Sequence, residues 1–170
     1  LFLLLWIIFG FATEHADYEN YLSGFLKTKA KGFYGVEIGF QIINKVFHVF
    51  GAEFQTFLAI TSFIFLFLFV KSIKFYTNKD IAFILTLYLI FPFIIDVVQI
   101  RNFFGATIIL YSTRYLVTEN KFAIIKYILF VVIAATFHYS ALFYLTLLLT
   151  KFKNDKNLIL SITIFIVTSF

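Results

Sequence analysis

The chain has no cysteine, no methionine and a single proline in 170 residues. Without cysteine it has no disulfide framework, no thiol nucleophile and no thiolate metal site. Charge is also scarce: Asp, Glu, Lys and Arg make up 14% of the residues, against about 25% in an ordinary soluble domain. Such thin polar cover does not clothe a soluble core. Apolar side chains are abundant instead, with 62% hydrophobic residues, 27 Phe and a mean hydropathy of +0.96. They come in long runs, which points to membrane spans. The absent initiator methionine and the apolar ends mark an expected piece of a longer protein, cut within a span at each side. Residues 1–12 imitate a signal-peptide core, but no basic segment precedes them and Glu14 follows where small residues are needed. They read as the tail of a first span.

The net charge of +5 does not indicate nucleic acid. No basic stripe interleaves with stacking aromatics in a soluble segment. The lysines sit in short connections between apolar runs, the positive-inside pattern of membrane proteins.

Along the chain, residues 54–70 form the clearest span. The connection with Lys71, Lys74 and Lys79 reads as cytoplasmic. Residues 81–95 make the next span, with Pro92 expected to kink or end the helix. Residues 103–117 return inward, and Arg114, Lys121 and Lys126 snorkel to the headgroups. Residues 158–170 begin another span. Residues 13–37 are then extracytoplasmic, and glycines at 24, 32, 35 and 39 predict a sharply bending loop. Residues 38–50 carry polar side chains at 41, 44, 45 and 48, one stripe on an apolar cylinder, as in an interfacial amphipathic helix. Residues 123–150 admit two readings: one long tilted helix, or two halves meeting near His138. The second returns Lys151, Lys153 and Lys156 to the cytoplasmic side and is the expectation, since a broken helix is tolerated where it lines a cavity. No repeat or linker divides the chain, so residues 1–170 read as one transmembrane domain, an all-α polytopic bundle.

An ionisable group costs about 2.5–3.5 kcal/mol in hydrocarbon on insertion scales, so the few present mark the place to look for function. Asp96, Gln99, Arg101 and Asn102 lie near the extracytoplasmic end of two spans. If the stretch from Asp96 to Gly105 is helical, Gly105, Ile108 and Ser112 fall below Arg101 and leave room for a polar head. A guanidinium is a planar, permanent donor suited to phosphate or carboxylate; an Asp96–Arg101 ion pair is the plainer alternative. His138 sits among apolar residues with Ala134, Ala135 and Ala141 near its face, a proton carrier or else an interhelical hydrogen bond. His48, on the polar stripe, reads as structural. Asp17 and Glu37 bracket the outer loop, where a carboxylate serves as a base, binds a hydroxyl, holds a divalent ion or is merely solvated. No metal, nucleotide or hydrolase motif is present, and neither a cofactor nor a metal is implied.

Taken in order, Asp17-Tyr-Glu-Asn-Tyr21, Glu37-Ile-Gly39-Phe40 with Asn44, Ile100-Arg101-Asn102-Phe-Phe-Gly105-Ala106 and Phe137-His138-Tyr-Ser140-Ala141 resemble the EpsG-type family of bacterial exopolysaccharide proteins, related to Wzy-like polysaccharide polymerases. The match covers about residues 13–150. Two positions depart from the family's pattern: Ile38 stands where a proline is common, and Asn102 where glutamine often appears. The resemblance implies a glycosyltransferase-C-like fold, multi-pass in the bacterial cytoplasmic membrane, that joins sugar repeat units outside the cytoplasm. It implies polyprenyl-diphosphate-linked glycans as substrates, membrane lipids around the chain and other exopolysaccharide synthesis proteins as partners. Arg101, His138, Asp17 and Glu37 are the expected catalytic residues, and Arg101, Asn102, Gln99, Tyr21 and Asn44 the expected substrate ligands. A flippase for lipid-linked sugars and a non-catalytic subunit of a synthesis complex are the competing readings.

Overall fold

The computed structural model describes residues 1–33, 37–118 and 120–151. The span expected over 158–170, and Lys153 and Lys156, lie outside the described residues. Among the described residues the structure is helical throughout, with no strand.

Helix α1 (Phe2–Phe11) runs antiparallel to α4 (Phe54–Tyr76). Trp6 donates to the Ala59 carbonyl at 2.8 Å and Gln55 donates to the Gly10 carbonyl at 2.5 Å. At 23 residues, α4 is about 34 Å long. It is the one helix among the described residues that is long and apolar enough to cross a membrane. Helices α2 (Tyr18–Lys31) and α3 (Ile38–Val49) lie between them in sequence. The loop expected over 13–37 is therefore largely helix. Tyr21, Phe25 and Thr28 recur at helical spacing on its buried face. Gly32, at φ 78°, ends α2 and returns its N–H to the Thr28 carbonyl.

The expected span over 81–95 divides into α5 (Ile81–Ile90) and α6 (Phe93–Val98), with the cis Phe91–Pro92 peptide between them. A second break at Gln99 starts α7 (Ile100–Ser112), so the stretch from Asp96 to Gly105 is not one helix. Helix α7 runs alongside α4 in the same direction: Phe65 stacks on Phe104 with centroids 3.8 Å apart, and near the far end Tyr76 and Thr113 share a 2.6 Å hydrogen bond. The short α8 (Arg114–Val117) follows.

Helix α9 (Ala123–Phe137) ends where His138 turns extended, at φ −150°. A 3₁₀ segment (Tyr139–Lys151) then doubles back along α9. Tyr127 donates to the Tyr144 carbonyl at 2.6 Å, and Lys151 donates to the Thr118 carbonyl at 2.8 Å. The broken reading thus describes this segment, and Lys151 returns to the end that carries Arg114.

Amphipathic α3 turns half of the expected stripe inward, leaving Lys45 exposed and His48 half-buried. Gln41 and Asn44 are buried, while Ile42, Val46 and Val49 are exposed. Large apolar side chains are also exposed on α5, α6 and α9, among them Phe83, Ile94 and Ile125. A soluble monomer rarely displays so much apolar surface.

Candidate functional site

Three helix termini meet at one end of the fold. Glu37 occupies the N-cap position of α3, Arg101 lies in the first turn of α7, and His138 is the C-cap residue of α9. The Glu37 carboxylate joins the other two: Arg101 Nη1 donates to its Oε2, and His138 Nδ1 lies 3.0 Å from its Oε1. Glu37 is 13% exposed, beneath Arg101 at 44% and His138 at 37%. The acid is therefore the floor of the cluster, and the other two reach solvent.

Small residues bring these termini together. Gly39 crosses α9 so closely that a Cβ there would sit 2.9 Å from Thr136 Cβ and 3.1 Å from the Thr136 carbonyl carbon. Gly105 lies under His138: a Cβ there would be 3.6 Å from His138 Cβ and 3.4 Å from the Ala134 carbonyl oxygen. The close approach anticipated from Gly105 and the alanines is present, though at His138 rather than below Arg101, and Gly39, expected to bend the loop, lies within α3.

The chemistry follows from the donor set. An ionised carboxylate only accepts hydrogen bonds, so facing Glu37 fixes His138 as the Nδ1–H tautomer and leaves Nε2 able to take a proton. Arg101 commits one nitrogen to Glu37 and also donates to the Tyr21 hydroxyl, so part of its fork remains for an anion. Arg101 also lies over the buried Tyr21 ring, 5.3 Å from its centroid. Burial pushes the Tyr21 phenol above its ordinary value, Arg101 draws it partly back, and Asp17 adds a smaller upward push.

The other candidates divide. Asn102 Nδ2 donates to Gln99 Oε1 at 3.4 Å beside Arg101. Asp17 accepts from Asn20 at 3.2 Å and makes no bond to the Glu37 cluster. Asn44 stands seven residues after Glu37 on the same helix face, about 10 Å along α3. It is 1% exposed, and neither atom of its amide has a hydrogen-bond partner among the described residues. His48 is structural, donating through Nε2 to the Phe25 carbonyl at 2.8 Å.

Asp96 does not pair with Arg101. It accepts from Tyr88 Oη at 2.7 Å, because the turn at Pro92 folds α6 back toward α5. Asp96, Tyr88 and Thr107 line a separate cavity of about 450 Å³. Thr107 is two residues past Gly105, and so on nearly the opposite face of α7 from the residue under His138. Sequence reasoning missed this pairing and the Thr107 hydroxyl, which has no partner among the described residues; a tyrosine and an aspartate flanking a proline turn were the available signal. No group of three or more metal-binding side chains occurs among the described residues.

A strongly apolar chain, helical through its described residues, with an acid, an arginine and an imidazole gathered at helix ends has the build of a membrane protein with a polar site. The model of the EpsG family matches residues 1–170, and the chain belongs to that family. Membership makes it an exopolysaccharide-related membrane protein. No curated protein and no solved structure matches it.

Proposed function

We propose that the chain is the catalytic portion of a polysaccharide polymerase, multi-pass in the bacterial cytoplasmic membrane, with the Glu37–Arg101–His138 end facing outward. Its substrates are oligosaccharide repeat units on polyprenyl diphosphate. One observation carries this reading: a single, mostly buried carboxylate holds an imidazole and a guanidinium side by side.

In the reaction, an acceptor sugar hydroxyl attacks the anomeric carbon of the donor. The new C–O bond forms as the bond from carbon to the diphosphate oxygen breaks, and the electron pair leaves with the diphosphate. His138 Nε2 takes the hydroxyl proton, and Glu37 steadies the imidazolium that forms. Arg101 stabilises charge developing on the leaving group, aided by the amides at the N-terminus of α7, which the helix itself leaves unpaired. Tyr21, Gln99, Asn102, Asn44 and Asp17 serve as hydroxyl ligands around this centre. Holding two lipid-bound substrates at the bilayer surface converts their encounter into a positioned step.

The test is the set of lipid-linked glycans that accumulates when the full-length protein is deleted. Single repeats on the outer face are expected, and build-up on the inner face would instead indicate a flippase. Arg101→Lys should abolish polymer while protein levels persist, because ammonium does not reproduce the fork. Normal polymer from Arg101→Ala refutes the assignment. Polymer formed by the purified full-length protein from lipid-linked repeats alone excludes a non-catalytic subunit.

A further inference from the structure

A second cavity, of about 340 Å³, lies at the far end of α7 and is lined by Phe75, Arg114, Tyr115, Thr118, Asn120 and Lys126. Arg114 follows Arg101 by thirteen residues, about 20 Å at helical rise. The two sites are therefore separate. The Arg114 guanidinium is held firmly. Nε donates to the Tyr111 carbonyl at 2.8 Å, and Cζ lies 3.7 Å from the Tyr111 ring centroid and 5.0 Å from that of Phe75. A merely snorkelling arginine has no need of such fixing. Its terminal nitrogens meet no carboxylate among the described residues, where the ion pairs are those of Glu37.

Two more cations converge here. Lys126 Nζ lies 5.8 Å from the Tyr115 ring centroid, and Lys151 reaches the Thr118 carbonyl. From Arg114 to Lys126 the sequence supplies one carboxylate, Glu119, so the cluster is net positive. Asn120 accepts the Phe122 amide through Oδ1 at 3.0 Å, and its NH₂ donors meet no acceptor among the described residues. An immobilised fork, a nearby ammonium and an amide donor are the elements that hold phosphate oxygens. Basic pockets between apolar helices suit phosphate headgroups.

We propose that this cavity is a phosphate-binding site, filled by the phosphate of an anionic lipid or of a soluble phosphate ester. The full-length protein, purified in neutral detergent, is examined by native mass spectrometry with equal amounts of phosphatidylglycerol and phosphatidylcholine, with and without millimolar inorganic phosphate. Retention of phosphatidylglycerol about 25-fold over phosphatidylcholine is expected, given two cations at the site. Arg114→Gln and Lys126→Gln should each lower that preference about fivefold. Lys126 is exposed, so its variant carries the test if Arg114→Gln fails to fold. A Lys71→Gln/Lys74→Gln control removes charge from the C-terminal part of α4 and should leave the preference intact. Retention that withstands inorganic phosphate identifies a lipid source; a phosphate adduct that displaces lipid identifies a soluble ester. No preference in the wild type with no phosphate adduct, an unchanged preference in Arg114→Gln/Lys126→Gln, or equal loss in the control overturns the proposal.

Discussion

Substituting Gly39 by alanine tests the link between packing and chemistry. The added Cβ would lie 2.9 Å from Thr136 Cβ and 3.1 Å from the Thr136 carbonyl carbon, where about 3.5–4.0 Å is comfortable. Neither atom can swing aside, and the Thr136 hydroxyl is itself bonded to the Ile133 carbonyl at 2.7 Å. Helix α3 must therefore withdraw from α9 by roughly 0.5–1 Å. Glu37 stands at the start of that helix, so its 3.0 Å contact with His138 lengthens to nearly 4 Å, beyond hydrogen-bond range. The stability cost is small: overpacking of about 1–3 kcal/mol is offset by about 1 kcal/mol of helix propensity gained on leaving glycine. The activity cost is large, about 100-fold for a misplacement near 1 Å. Polymer synthesis by purified full-length protein, measured beside thermal unfolding in the same detergent, separates the two effects. Adding Thr136→Gly removes the hydroxyl and the Cβ, the nearest obstacles, and should restore part of the activity while the 3.1 Å backbone contact remains, at about 1 kcal/mol of helix stability. A Gly39→Ala protein that polymerises at the wild-type rate would show that the α3–α9 crossing does not position the acid.

Glu37→Gln preserves the size of the side chain but removes the charge shared by Arg101 and His138. Polymer synthesis should fall about 10²–10⁴-fold while circular dichroism shows the same helicity. Asn44→Leu removes a buried amide that lacks partners and should raise thermal stability by about 1 kcal/mol. If Asn44 is a sugar ligand, the same variant makes less polymer; wild-type output together with the higher stability removes Asn44 from the site. Asp96→Asn keeps an acceptor for Tyr88 and lies apart from the Arg101 cluster, so polymer output in a complementation assay should not change.

Much of this arrangement was legible in the residues, unevenly. The scarcity of charge made Glu37, Arg101 and His138 conspicuous, and the glycine and alanine neighbours of Arg101 and His138 marked a close helix approach. The break at His138 followed from charge placement, because only a doubled-back chain returns Lys151 to the Arg114 end. Helix α2 was obscured because Gly24 and Gly32 were weighed as one loop signal. In fact Gly24 lies within the helix and only Gly32 ends it. The orientation of α3 was hidden for a different reason. A polar stripe on an apolar cylinder is ordinarily turned toward water, and nothing local reveals that Gln41 and Asn44 face protein while isoleucine and valine face outward. The partner of Asp96 depended on the turn at Pro92, a tertiary event that no linear spacing encodes.

That the cluster is built from three helix ends has a physical cause. Within an apolar bundle, the middle of a helix has its backbone groups paired and its sides covered by hydrophobic neighbours, so a charge there is costly. At a terminus the backbone is already open, and a polar side chain adds less. Glu37 gains further from the positive end of the α3 dipole, whereas Arg101 sits unfavourably at the corresponding end of α7. Arg101 is thus unfavourable alone in its own helix and becomes favourable only when α3 brings the carboxylate. The same positive α7 terminus that disfavours the arginine favours an anion. That conflict is what makes the site receptive to an anion: Glu37 holds the arginine in place, and on the proposed reading the substrate's diphosphate would supply the negative charge that the α7 terminus lacks.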